Sequence, residues 1–136
     1  MDAFEISKSR AEELLRFLPN FSVPNRKYIK EWKGGKTQDG ASIFPHPIYE
    51  EDVVEFFHVA SQECWADYDY EPQVAGKILR DDRAIESADI IAIKTLLTYC
   101  VRGERFCDGH RASLLEAGRV QKLLVRLQQL LPTLPS

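Results

Sequence analysis

No apolar run in this chain is long enough to cross a bilayer. The most hydrophobic stretches, such as Ile90-Ile91-Ala92-Ile93, stop far short of the roughly 20 residues that a spanning helix needs. Met1-Asp2-Ala3-Phe4-Glu5 lacks a basic segment followed by an apolar one, so no signal peptide is expected. Cysteine is scarce: three residues, an odd number, with no Cys-x-x-Cys. That argues against a secreted disulfide framework and fits reduced thiols in a cytosol. An excess of base is also missing. With 18 Lys and Arg against 21 Asp and Glu, the formal charge is −3. General nucleic-acid binders usually present a basic face, so that class is not expected. Internal repeats and low-complexity tracts are absent. These absences predict a cytoplasmic protein that neither enters a membrane nor binds nucleic acid generally.

What is present fits a single helical domain over residues 1–136. A chain of this length buries roughly 65–70% of the surface its unfolded form exposes. It therefore needs no disulfide, metal or cofactor to hold a core. Residues 7–18 read as an amphipathic helix with Ala11, Leu14, Leu15 and Leu18 on one stripe and Ser7 as N-cap. Pro19-Asn20 is expected to end it. Glycine-rich breaks at Gly34-Gly35 and Asp39-Gly40, with Pro24, Pro45 and Pro47, mark a small irregular or β-hairpin insertion near residues 26–46. Tyr28-Ile29-Lys30-Glu31-Trp32 and Ala41-Ser42-Ile43-Phe44 are its candidate strands. Such a two-stranded ribbon needs packing support.

Helical spacing returns over 50–64, with Val53, Val54, Phe57, Ala60, Ser61 and Cys64 repeating and three acids in the first turn. Pro72 suits the start of a short helix running to Leu79. Ser87 is a candidate N-cap for a central helix that is apolar on almost every side: Ile90, Ile91, Ile93, Leu96, Leu97, Cys100 and Val101. A last helix over 119–131 places Val120, Leu123, Leu124, Leu127, Leu130 and Leu131 on one face. Gly118 fits a left-handed cap for the helix before it. The expected fold is mainly α: a bundle of five or six helices carrying the small insertion.

The chemistry concentrates in Arg102-Gly103-Glu104-Arg105-Phe106-Cys107-Asp108-Gly109-His110, directly after the central helix. If the helix ran on unbroken, Leu96, Cys100, Gly103, Cys107, His110 and Leu114 would share a face. The favoured alternative is a break near Asp108-Gly109, with Asp108 capping a new helix. Zinc is one reading, because Cys100-x6-Cys107-x2-His110 offers three acceptable ligands, with His58 or Cys64 as a fourth. A small hydrolase or transferase using His110 with Cys107 or Asp108 is another. Anion recognition is a third: Arg102, Arg105 and Arg111 beside a helix start could cradle a phosphate or carboxylate. Against all three stands a structural clasp in which Glu104 and Asp108 neutralise the arginines, with Asp108 three residues from both Arg105 and Arg111.

The signature Arg-x-Glu-Arg-Phe-Cys-Asp-Gly-His lies between the helix opened by Ile85-Glu86-Ser87-Ala88-Asp89 and Glu116-Ala117-Gly118 with its Leu/Arg helix. It resembles a bacterial family of domains of unknown function. The resemblance extends weakly to Ile43-Phe44-Pro45-His46-Pro47-Ile48-Tyr49. It implies a small stand-alone cytoplasmic protein of bacterial or phage origin. It implies no activity.

Weaker motifs carry little. Asp67, Asp69 and Glu71 lack the glycine and downstream glutamate of a calcium loop. Lys33-Gly34-Gly35-Lys36 lacks the order of a phosphate loop. Trp32, Phe44, Tyr49 and Trp65 could line a pocket, although aromatics are more often core. The sequence favours a non-catalytic binding or protein-interaction module, a monomer or homodimer. Its partner would be a small anionic ligand or a protein, and Arg102, Glu104, Arg105, Cys107, Asp108, Gly109 and His110 form the candidate clasp or anion site.

Overall fold

In a computed structural model, residues 6–36, 42–105 and 107–136 are described. Met1–Glu5, the Asp39-Gly40 break, Ala41 and Phe106 lie outside them. The fold is mainly α with one two-stranded antiparallel hairpin. In chain order come α1 (Lys8–Leu15), α2 (Leu18–Phe21), β1 (Ile29–Lys36), β2 (Ser42–Tyr49), α3 (Glu51–Ala60), α4 (Pro72–Leu79) and α5 (Asp82–Glu86). Then follow α6 (Ile90–Arg102), α7 (His110–Glu116) and α8 (Arg119–Leu130). Single 3-10 turns lie at Glu63–Trp65, Gly103–Arg105 and Leu131–Thr133.

One hydrophobic cluster runs from Ile6 to Leu134. α6 is its centre and packs against α3, α4, α7 and α8. Ile93, Leu96, Leu97, Thr98 and Cys100 on α6 are buried. The other apolar side of α6 is not, since Ile91 is 65% exposed. α8 contributes Val120, Leu123, Leu124 and Leu127. Phe17, Phe21, Phe56 and Phe57 form a second packing centre of edge-on and stacked rings. Each fully buried Leu, Ile or Phe side chain contributes roughly 1.5–3 kcal/mol.

Several expected boundaries move, each for a local reason. The helix expected over 7–18 splits into α1 and α2. Pro19 has no N–H to extend α1, and it occupies the first turn of α2, where none is required. Ser7 caps α1 by accepting from the Arg10 amide. The helix expected over 50–64 ends at Ala60 and resumes as a 3-10 turn. Ser87 does not cap α6; it closes α5, donating to the Arg83 carbonyl at 3.1 Å. Asp89 caps α6 instead, accepting from the Ala92 amide at 2.8 Å, because it directly precedes the first helical residue. The hairpin strands are longer than expected and pair Ile29 with Tyr49 and Trp32 with Pro47. The turn expected at Asp108-Gly109 is present and α7 starts at His110, but α6 has already ended at Arg102.

Candidate functional site

The α6–α7 junction is organised around Glu104. The 3-10 turn that follows α6 carries its carboxylate back over the first turn of α7. One oxygen accepts from the Gly109 amide at 2.8 Å, and the other from the Arg111 amide at 2.9 Å. Those are orphan donors of a helix start, and a charged acceptor suits them doubly, by hydrogen bond and by dipole. Gly109 sits at the cap position with φ 86°, a left-handed conformation that favours glycine. Asp108 does not cap α7; Gly109 takes that position and no side chain next to it does the work.

The third partner of Glu104 comes from far away in sequence. The Tyr49 hydroxyl, at the end of β2, donates to Glu104 at 2.8 Å and accepts from the Ala112 amide at 3.4 Å. Burial, then the bond to Glu104, holds the Tyr49 phenol well above its ordinary range. One carboxylate thus ties the base of the hairpin to the start of α7. The Trp32 ring adds a contact from β1, close over Gly109.

The arginines do not pair with the acids of the segment. Among the described residues, no ion pair joins Arg102, Arg105 or Arg111 to Glu104 or Asp108. The Arg102 guanidinium instead lies over Tyr68 and Tyr70, at 5.3 and 5.5 Å from the ring centroids. Arg105 is exposed. Arg111 turns inward: it donates to the Val101 carbonyl at 2.8 Å and stacks over Phe57 at 4.6 Å. Its Nε is buried without a partner. Burial lowers its affinity for the proton, and Glu104 opposes that effect.

His110 is wedged between Gly103 and Tyr99. Its ring meets Tyr99 edge-on at 5.1 Å. Its Nε2 lies so close to the Gly103 backbone that a Cβ there would fall 2.2 Å away. That nitrogen is buried and unpartnered. Burial pushes the imidazole pKa down, partly opposed by Glu104. A general base must reach the proton it removes, and this nitrogen faces protein. No side-chain hydrogen bond joins His110 to Cys107 or Asp108 among the described residues.

The two thiols of the segment diverge. Cys100 is fully buried, and burial pushes it up to about 12. That is the behaviour of a small hydrophobe. Cys107 is exposed. Among the described residues no three His, Cys, Asp or Glu side chains gather in a way that could hold a metal ion. The spacing Cys100-x6-Cys107-x2-His110 therefore does not close into a ligand set.

Beside the junction is a cleft of about 420 Å³ walled by Tyr70, Pro72, Tyr99, Gly103, Cys107 and His110. Its surface is mostly apolar. The loop before α4 supplies Tyr70, α4 supplies Pro72, α6 supplies Tyr99, and the α6–α7 junction supplies Gly103, Cys107 and His110. Sequence reasoning singled out Cys107, Gly109 and His110 but missed Tyr99, and named Tyr49 only among aromatics that could line a pocket, not as a partner of Glu104. Nothing local marks Tyr49, since its partner is 55 residues away. Tyr99 did carry a signal: an aromatic near the end of an apolar helix, four residues before Gly103.

The chain belongs to a family of unknown function, DUF6508, whose model matches residues 6–133. No curated protein and no solved structure matches it.

Proposed function

We propose that this member of the DUF6508 family is a non-catalytic binding module. Its site is the cleft walled by Tyr70, Pro72, Tyr99, Gly103, Cys107 and His110. The Glu104–Tyr49–α7 contacts act as the clasp that shapes one wall. The observation that carries this reading is the pairing of an apolar, ring-lined cavity with an arginine stacked on one of its walls. Ligand pockets are typically apolar hollows with a few placed polar groups. Arg102 lies over Tyr70 and has no acidic partner among the described residues. The ligand that fits is a small planar apolar body bearing a carboxylate. Its ring would stack on the tyrosines, and its charge would meet the guanidinium. Phosphate alone is a poorer match, because the α7 amides at Gly109 and Arg111 already serve Glu104.

Calorimetric or NMR titration with benzoate, cyclohexanol and inorganic phosphate tests this. Benzoate should saturate with shifts at Tyr70 and Tyr99, while phosphate should not. Arg102→Ala should weaken benzoate by roughly tenfold, the worth of one charge-assisted contact. Benzoate that fails to saturate, or that binds Arg102→Ala equally well, would discard the site.

A further inference from the structure

The hairpin stands apart from the bundle. β1 and β2, eight residues each, pair with each other, and among the described residues neither packs extensively against a helix. Among the described residues its ties to the rest include Tyr28 in the core, the Glu50 amide on the Tyr28 carbonyl, Tyr49 on Glu104, and Trp32 over Gly109. An isolated two-stranded ribbon is marginal in water, and a third strand is the usual remedy.

The two edges of this ribbon are not equivalent. Antiparallel neighbours alternate between pairs that exchange N–H···O bonds and pairs that do not. Pro47 has no N–H, so Trp32↔Pro47 is a non-exchanging pair. Trp32 therefore turns its own N–H and C=O away from β2, towards the open side of β1. On the outer side of β2, Pro47 leaves no donor at the matching place, and Pro45 removes another. Proline is a common means of blocking a sheet edge. β1 carries no such block, and Trp32 there is 53% exposed.

We infer that β1 is a self-association edge, pairing antiparallel with β1 of a second copy of this chain about a two-fold axis at Trp32. The surrounding sequence is Lys30-Glu31-Trp32-Lys33-Gly34. With Trp32 opposite Trp32, each Glu31 falls opposite Lys33 of the other copy. A two-fold centred on Glu31 would set Glu31 against itself, and one centred on Lys33 would set Lys33 against itself. Only the Trp32 register brings opposite charges together, and Trp32 is also the residue whose backbone faces outward. Glu31 and Lys33 are more than half exposed and lie 3.9 Å apart on their own strand, so both are available to rearrange across the axis. Register shifts on either side, between Ile29 and Glu31 and between Lys33 and Gly35, limit the pairing to a short segment. Two-fold pairing of one edge closes on itself and gives a dimer with no free edge of the same kind.

Sedimentation velocity on the intact chain, from low micromolar to near millimolar, is the test. A monomer–dimer equilibrium is expected. Glu31→Lys and Lys33→Glu should each weaken dimerisation by roughly tenfold or more, because each turns two cross-strand attractions into repulsions. The double variant Glu31→Lys with Lys33→Glu should restore it. Circular dichroism should be unchanged in all three, since these side chains are exposed. A wild type that stays monomeric throughout, a dimer indifferent to the single reversals, or a double variant that fails to recover would overturn the inference.

Discussion

α6 and α7 begin in opposite ways. α6 is capped by its own neighbour: Asp89 stands one residue before the helix and accepts from the Ala92 amide. α7 is capped at a distance. Gly109 has no side chain to offer, so Glu104, five residues earlier, and Tyr49, from the hairpin, receive the free amides. The first arrangement needs nothing but the single turn of backbone from Asp89 to Ala92. The second exists only if the chain doubles back after α6 and the hairpin docks. A helix start can therefore serve as a local stop signal or as a tertiary joint, and this molecule has one of each.

The sharpest way to separate them is to remove each acceptor. Glu104→Ala strands two amides and the Tyr49 hydroxyl, and should cost about 3 kcal/mol of stability in chemical denaturation. Asp89→Ala strands one exposed amide and should cost about 1 kcal/mol. Equal losses would erase the distinction. Glu104→Gln should fall between wild type and Glu104→Ala, because its NH2 group would face a donor.

The close approach of Gly103 and His110 comes next. Gly103→Ala places a Cβ 2.2 Å from His110 Nε2. Overpacking of this kind costs about 2 kcal/mol, even though Gly103 has an ordinary helical φ of −60°. Adding His110→Ala should recover most of the loss caused by Gly103→Ala. If it does not, the wedge is not what fixes the junction.

The smallest effect is one of pH. Burial holds the His110 imidazole below its ordinary 6.5. Below that pH the unfolded chain takes up a proton that the folded chain resists, so stability should fall as pH drops through 6.5. Above it both states are neutral and His110 contributes nothing. His110→Phe should flatten the difference between about pH 7.5 and pH 5.5. A slope identical to wild type would show that another group governs this window.

The elements with local causes were legible before the structure. Ser7 capping α1, Pro72 opening α4, Gly118 in the left-handed region before α8 and the leucine face of α8 all follow from adjacent residues. Ser87 misled because it is a good cap residue two positions too early, and Asp89 was the closer competitor. At the junction, spacing alone suggested that Glu104 and Asp108 would neutralise Arg102, Arg105 and Arg111. Spacing measures distance along a regular helix, and the helix ends at Arg102. Past that point the rule no longer applies, and Glu104 found amides and a tyrosine instead.

By itself the sequence determined the helical class and the place of the hairpin, and it favoured a turn at Asp108-Gly109 before a new helix. Apolar periodicity, prolines and glycines act on the few residues beside them, so they can be read in order. The tertiary structure alone decided which partners Glu104 takes, why Gly103 must be small, and that Cys100 is buried while Cys107 is exposed. Each depends on a segment that is distant along the chain or turned by an angle no local residue specifies. The same division explains the hairpin. Pro45 and Pro47 are visible in the sequence, but only the register with Trp32 tells which edge they leave open.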